Sequence, residues 1–142
     1  MAIVGFNFDK MLVEKTNQIE GSVKVTNNVQ ITDVKEHKLP GSDIKQGIIK
    51  FNFEFITEYT NVGKIELLGH LLYTESPEKL KQILDTWKKK KDMDKVLMAY
   101  LINAVLVKGN IKALQLSQDA NLPPHIRLPT VTPKVNAKNY IG

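Results

Sequence analysis

The feature that most constrains the fold is a change of hydrophobic period about halfway along the chain. In "GIIKFNFEFITEYT" (47–60), apolar side chains occupy almost every second position, with polar side chains between them. The same period of two recurs in other segments before residue 76, and it is typical of strands with one buried face. Because parallel strands are usually apolar on both faces, this alternation favours an antiparallel sheet. We therefore predict four antiparallel strands within residues 1–75.

The connections between these strands are less tightly defined by the sequence. The segment "TNVGK" (60–64) predicts a tight turn in which Asn61 or Gly63 takes a positive φ. The polar stretch 35–47 contains Pro-Gly and predicts a longer loop. The first segment is either one strand or two strands that are broken near Asp9.

From residue 76 onward the apolar spacing becomes helical. In "SPEKLKQILDTWKKKK" (76–91), Ser76 stands where a helix cap is expected and Pro77 suits the first helical position. One predicted helix face is formed by Leu80, Ile83, Leu84 and Trp87. Lysines close the segment, where they interact favourably with the negative end of the helix dipole.

A second helix is predicted after Asp92, which can cap it, with Asp94 in its first turn. Its apolar stripe is formed by residues 96, 97, 100, 101, 104 and 105, and it is widened by Met98, Ile102, Leu106 and Val107. A helix that is apolar nearly all round is buried on more than one side. One sheet covers one side, so we predict that another subunit covers the other. Gly109-Asn110 predicts either a kink or an end before a short piece from 111 to 117.

The helices are followed by "NLPPHIRLP" (121–129), in which three prolines exclude a continued helix. Its apolar side chains Leu122, Ile126 and Leu128 predict a proline-rich strap that fills a groove, either on its own core or on a partner. The predicted fold class is α+β, with a four-stranded antiparallel sheet followed by two helices on one face. Residues 1–129 form the predicted domain. Residues 130–142 form a basic tail that is either disordered or binds a partner.

The formal charge of +5 comes almost entirely from lysine, because Arg127 is the only arginine. This composition suits general attraction to anions better than specific recognition of bases. The candidate RNA-contacting residues are Lys88, Lys89, Lys90, Lys91, Lys134 and Lys138. The alternative is a solvated lysine run that stabilises the helix end. Trp87 could stack on a base, although its place in the helical stripe favours core packing.

The residue types that carry catalysis are scattered along the sequence. His37, His70 and His125 do not have the spacing of metal ligands, and the chain contains no cysteine. Carboxylates at 54, 58 and 66 could face each other across strands, or could simply form a solvated surface. We therefore predict a protein that is not an enzyme and uses no cofactor or metal. The sequence lacks a signal-peptide pattern and a long uninterrupted apolar run, which predicts a cytoplasmic protein that does not insert into membranes.

The order of elements and the segment "NAVLVKGNIKALQLSQDANLPPHIRLP" (103–129) resemble the SecB-like family. The chain is also similar to small archaeal proteins in which a phenylalanine-rich strand precedes such a segment. The resemblance implies helices on one side of the sheet, and homo-oligomers that are dimers or dimers of dimers. It also implies apolar grooves that hold unfolded polypeptide without ATP.

On this resemblance, the candidate polypeptide-binding residues are Phe51, Phe53, Phe55, Leu122, Ile126 and Leu128. The founding protein of the family is acidic and binds the basic tail of the SecA motor. This chain is basic and lacks an acidic tail, so we do not expect SecA docking to carry over. An alternative function is that of a basic accessory protein of the ribosome or of another RNA assembly.

Overall fold

The structure, a computed structural model, describes residues 2–38, 47–131 and 133. Its elements, in chain order, are β1 (Ala2–Lys15), β2 (Val25–His37), β3 (Gly47–Tyr59), β4 (Gly63–Glu75), α1 (Pro77–Lys90) and α2 (Lys95–Asp119). The strands form one antiparallel sheet in the order β1-β4-β3-β2. This confirms the predicted α+β fold, with its strands first and its helices after.

Two predicted regions fall largely outside these residues. The predicted loop 35–47 starts later than expected because β2 continues to His37, and residues 39–46 are not described. Of the predicted tail 130–142, the structure describes residues 130, 131 and 133. The boundary between a domain of 1–129 and a tail therefore stays a prediction.

The β3–β4 hairpin turns at Asn61, whose φ of 63° is the left-handed conformation that the sequence predicted for Asn61 or Gly63. β1 is a single strand, which decides between the two alternatives for the first segment. Its pairing with β4 shifts register near Val4 and again at Asp9. A bulge at Asp9 explains the apparent break, because an extra residue interrupts the alternation without ending the strand.

α1 begins at Pro77, directly after Ser76, as the sequence predicts. The Ser76 side chain nevertheless makes no capping hydrogen bond. Instead, the backbone N–H of Ser76 donates to Oε1 of Glu75 at 3.3 Å. The helix start is therefore defined by proline and by the preceding carboxylate rather than by a serine cap.

α2 begins at Lys95, and its cap is Asp94 rather than the predicted Asp92. The Asp94 carboxylate accepts a hydrogen bond from the N–H of Leu97 at 3.2 Å, which is N-cap geometry. The Asp92 carboxylate accepts instead from the N–H of Met93 at 2.8 Å. Both aspartates provide a side-chain acceptor near a helix start, so the sequence does not show which of them is the N-cap residue, and the structure does.

α2 continues through Gly109 and Asn110, so the predicted end before a short second piece is wrong. A Cβ atom at Gly109 would lie 2.6 Å from Cδ2 of Phe55 on β3, which explains a glycine inside a helix. The side of α2 that faces the sheet consists of Leu97, Leu101, Val105, Gly109, Ala113 and Ser117. Glycine and alanine on this side let the helix backbone approach the sheet closely.

Both helices contribute to one core on one face of the sheet. On β3 and β4 this face consists of Ile49, Phe51, Phe53, Phe55, Tyr59, Ile65, Leu67, Leu71 and Tyr73, all at most 1% exposed. The opposite face carries the alternate side chains of the same strands, including Lys50, Asn52, Glu54 and Glu58. The period of two in the sequence therefore identifies the two faces correctly.

α2 also has the length and composition of a helix that could cross a lipid bilayer. Core helices of sheet-packed proteins share this length and composition, and one side of α2 is buried against the sheet.

Candidate functional site

The three phenylalanines predicted to bind polypeptide are core residues. Phe51, Phe53 and Phe55 are buried beneath the helices. The ring of Phe53 lies 5.1 Å from that of Phe6, and the ring of Phe55 faces Gly109 of α2. Their assignment to a binding surface is therefore corrected, because α1 and α2 cover the face of the sheet on which they lie.

The strap, residues 121–129, crosses the same face of the sheet after α2 ends. It turns at Asn121, whose φ is 54°, and the N–H of Leu122 donates to the carbonyl of Ser117 at 2.8 Å. The hydroxyl of Tyr59 on β3 donates to the carbonyl of Pro123 at 2.6 Å. Leu122 is buried in the core, so the first part of the strap covers the protein's own interior.

His125 anchors the middle of the strap. The side chain is 4% exposed, and its ring packs edge-on against Phe55 with 6.0 Å between centroids. Its Nε2 lies 2.9 Å from Oδ1 of Asn110, and its backbone carbonyl accepts from Nδ2 of Asn27 at 3.2 Å. Among the described residues Nδ1 has no hydrogen-bond partner. Burial lowers the pKa of His125 below its ordinary value.

These contacts explain the Gly109-Asn110 pair, which the sequence alone indicated as a weak point of the helix. Gly109 admits the Phe55 ring, and the next residue, Asn110, receives the strap histidine. Sequence reasoning placed His125 in the strap but did not identify it as a buried anchor. A usable signal was the polar Asn110 in a helix that is otherwise apolar on several sides.

Beyond His125 the strap presents apolar side chains to solvent. Ile126 is 37% exposed and Leu128 is 41% exposed, so these two predicted binding residues are accessible. Beside the strap lies an open groove of about 710 Å³. It is lined by Ile19, Gly21, Ser22, Val23, Val25, Gln118, Asn121, Leu122, Pro123 and Pro124. We call this feature the strap groove.

The strap groove borders an edge of the sheet. β2 is the last strand in the sheet order, and among the described residues it pairs only with β3. Val25, the first residue of β2, lines the groove. An edge strand offers backbone N–H and C=O groups to an additional strand. The groove thus combines apolar walls with an unpaired backbone.

The lysine run lies at the far end of α1. Lys88, Lys89, Lys90 and Lys91 are all exposed. Lys91 has a φ of 51° and ends the helix, and its Nζ lies 5.7 Å from the ring centroid of Trp87. Trp87 is 6% exposed, which confirms core packing rather than an accessible stacking surface. Lys134 and Lys138, also predicted to contact RNA, lie outside the described residues.

The open face of the sheet carries paired polar groups. His70 on β4 bonds through Nδ1 to Oδ2 of Asp9 at 2.8 Å. Glu66 forms ion pairs with Lys10 at 3.5 Å and with Lys64 at 3.9 Å. Among the described residues no group of three or more histidine, aspartate or glutamate side chains could hold a metal ion. The sequence missed the His70–Asp9 pair because the bulge in β1 brings Asp9 beside β4.

Neither a protein-family model nor a curated protein matches this chain. A solved structure of a Mycobacterium tuberculosis protein does, and it is described as the Rv1957 SecB-like chaperone in complex with a ChAD peptide from the Rv1956 HigA1 antitoxin. The two align with a TM-score of 0.50 over 92% of this chain and 89% of that chain. The fold is SecB-like. At 10% sequence identity the likeness shows the fold alone.

Proposed function

We propose that the protein is a non-enzymatic binding protein that holds extended segments of unfolded polypeptide in the strap groove. The observation that carries the proposal is the groove itself, which combines apolar walls with a free sheet edge and is lined by the part of the strap that precedes the exposed Ile126 and Leu128. The SecB-like neighbour supports it at the level of fold, because that protein is described in complex with a peptide.

The geometry favours an extended ligand over a helical one. A peptide that adds to a sheet edge gains main-chain hydrogen bonds that do not depend on its sequence, and its alternate side chains enter pockets. Here the edge would be β2, and the apolar wall would be formed by Val23, Val25, Leu122 and Pro123. Such a site selects for apolar side chains in an unfolded chain rather than for one particular sequence.

The strap is suited to form a wall of this site because it is already ordered. Its prolines restrict the backbone, and its bonds to Tyr59, Asn27 and Asn110 hold it on the sheet. A pre-organised wall loses little conformational entropy on binding. Ile126 and Leu128 can therefore contribute buried apolar area without a compensating cost of ordering the strap.

The experiment compares two double variants, each of which removes two exposed apolar side chains. Ile126→Ser/Leu128→Ser alters the strap, and Val4→Ser/Met11→Ser alters β1 at the opposite edge of the sheet. Binding is measured by fluorescence anisotropy with a labelled polypeptide kept unfolded by reduction and alkylation. We expect the strap variant to bind at least about tenfold more weakly, equivalent to about 1.4 kcal/mol, with the control unchanged.

Leu122 is not suitable for this test, although it is also one of the residues predicted from the sequence to bind polypeptide. It is buried in the core, so Leu122→Ser would unfold the protein and weaken binding together. If the strap variant bound as tightly as the wild type while the control did not, the proposed location would be wrong. If neither the wild type nor the control bound unfolded polypeptide, the proposed function would be wrong.

RNA binding is kept as a second candidate because one observation favours it. The four lysines from 88 to 91 are exposed, and none takes part in an ion pair recorded among the described residues. Phosphate contacts would make the affinity for RNA fall steeply with salt. Sedimentation of cell lysate at low and high salt tests this, and we expect no salt-dependent comigration with ribosomes if polypeptide binding is the function.

A further inference from the structure

The lysine run at the end of α1 lies beside β2, the edge strand that borders the strap groove. Lys91 ends the helix, and its N–H donates to the carbonyl of the buried Trp87 at 2.9 Å, which fixes the position of this end. Lys88 lines a pocket of about 260 Å³ together with Glu36 of β2. The run is therefore held next to the half of β2 that is distant from the strap groove.

The electrostatics of Asp33 on β2 place Lys91 at the same edge. Desolvation raises the pKa of the Asp33 carboxyl, but a hydrogen bond from the N–H of Val34 opposes this effect. The positive charges of Lys35 and Lys91 add to that bond, and the pKa lies below its ordinary value. Asp33 lies opposite Asn52, on the open face of the sheet, whereas α1 packs on the other face. The charge of Lys91 therefore acts across the outer edge of β2.

The charge around this end of β2 is positive on balance. The lysines here are Lys35, Lys81, Lys88, Lys89, Lys90 and Lys91, and the carboxylates are Asp33, Glu36, Asp85 and Asp92. The negative end of the α1 dipole offsets only about half of one unit charge. None of the four lysines from 88 to 91 forms an ion pair with another described residue. They are therefore available to an anionic ligand.

An extended ligand on β2 meets two different surfaces along one line. At Val25 it lies beside the apolar walls of the strap groove, and at Asp33 it reaches the lysine run. About eight residues of extended strand, or about 27 Å, separate the two positions. The pairing of β2 shifts register between Ile31 and Asp33, and such a bulge disrupts regular pairing with an added strand. Beyond the bulge, charge contacts rather than backbone bonds would hold the ligand.

The direction of β2 defines the order of these contacts in the ligand. β2 runs from the strap groove towards the lysine run. All strand pairs of this sheet are antiparallel, and an antiparallel pair is slightly more stable than a parallel one. An antiparallel polypeptide therefore passes the lysines with its N-terminal part. RNA fits this line less well, because it has no peptide backbone to pair with a strand edge.

We propose that the strap groove prefers extended polypeptides in which a cluster of carboxylates precedes an apolar segment by about eight residues. The carboxylates contact Lys88 and Lys91, and the apolar segment binds in the strap groove. This inference rests on the proposed function, because it names the class of polypeptide that the groove selects. It also gives the lysine run a role that does not involve RNA.

Three labelled peptides test the preference by fluorescence anisotropy with the full chain. The acidic peptide has a glutamate cluster, a polar spacer of about eight residues and then a valine- and leucine-rich segment. The neutral peptide has glutamine in place of glutamate, and the reversed peptide has its glutamates C-terminal to the apolar segment. The acidic peptide should bind at least about fivefold more tightly than either of the others at low salt. High salt should reduce this preference.

Two charge-matched variants locate the contact. Lys88→Gln/Lys91→Gln should abolish the preference for the acidic peptide and leave the affinity for the neutral peptide unchanged. Lys15→Gln/Lys95→Gln removes two exposed lysines elsewhere, lowers the net charge equally and should keep the preference. Melting temperatures equal to that of the wild type verify that both variants are folded.

The outcomes separate this inference from the proposed function. Equal binding of the acidic and neutral peptides by the wild type would overturn the inference and leave polypeptide binding in place. A preference that persists in Lys88→Gln/Lys91→Gln, or tighter binding of the reversed peptide, would also overturn it. If the wild type bound none of the peptides, the proposed function would fail as well. Binding of an RNA oligonucleotide that only this variant loses, without any acidic preference, would assign the run to RNA.

Discussion

The phenylalanines of β3 and the apolar side chains of the strap look equally suited to binding in the sequence, yet their surroundings are opposite. Phe51, Phe53 and Phe55 are covered by two helices, whereas Ile126 and Leu128 remain exposed on the strap, whose earlier part lines a groove. The difference arises from residues distant in sequence, chiefly Gly109 and His125, which pack against Phe55. Apolar character therefore indicates that burial of a side chain would be favourable, and tertiary packing decides whether that side chain is buried.

The largest predicted effect is a difference in the free energy of unfolding between a core variant and a strap variant. Phe53→Ala should lower the free energy of unfolding by about 3–5 kcal/mol, since it leaves a cavity in a closed core. Ile126→Ser, on the exposed strap, should change it by at most about 0.5 kcal/mol. Urea unfolding followed by circular dichroism measures both. Similar losses for the two variants would mean that the strap residue is part of the core.

A second test concerns the close approach of α2 to β3. Alanine favours helices over glycine by about 1 kcal/mol, so Gly109→Ala would stabilise an uncrowded helix. Here the added Cβ would meet the Phe55 ring at 2.6 Å, and we expect a net loss of about 1–3 kcal/mol. Gln115→Ala, at an exposed position of the same helix, is the control. A stabilising Gly109→Ala would show that the ring moves aside freely.

A third test loosens the strap without altering its apolar side chains. Tyr59→Phe removes the hydroxyl that donates to the carbonyl of Pro123. We expect a loss of about 0.5–1.5 kcal/mol, which is typical of one hydrogen bond. The amide of Leu122, which bonds to Ser117, should also exchange its hydrogen faster. Unchanged exchange would mean that this hydroxyl does not hold the strap.

The smallest effect is a pH dependence. Burial lowers the pKa of His125 below its ordinary value of 6.5, so the folded protein favours the neutral ring. Its contribution to stability is complete above pH 6.5, where both states are neutral. It is lost as the pH falls through the lowered folded pKa, because the unfolded chain takes up the proton first.

The control for this effect is His125→Gln, which cannot titrate. Between pH 7.5 and pH 5, the wild type should lose more stability than this variant does, as measured by thermal unfolding at each pH. Other histidines and the carboxylates act in both proteins and cancel in the difference. Identical slopes for the two proteins would show that folding does not lower the pKa of His125.

The local periods of the sequence were sufficient to predict four antiparallel strands followed by two helices, and turn residues predicted a tight turn within 60–64 with Asn61 or Gly63 at a positive φ. Period two reports which side of a strand is buried, and the spacing of apolar residues along 76–91 reports the buried side of α1. They could not predict the site, because it depends on contacts between distant segments. The bond between His125 and Asn110 and the approach of Gly109 to Phe55 join residues that no local pattern connects.

The cap at Asp94 and the uninterrupted α2 illustrate the same limit on a smaller scale. Asp92 and Asp94 are equally good acceptors, and the choice depends on where α2 meets the core. Gly109 weakens a helix in isolation, but here packing on the sheet stabilises it. Local propensity therefore identified the right positions while assigning some of them the wrong role.

The central claim, that the strap groove holds unfolded polypeptide, is tested most directly by hydrogen exchange with and without a saturating unfolded chain. The account predicts slower exchange along the outer edge of β2 (Val25–His37) and in the segment 16–24 beside the groove. It predicts no change in β1 at the opposite edge. Slower exchange confined to β1 or to α2, with β2 unchanged, would contradict it.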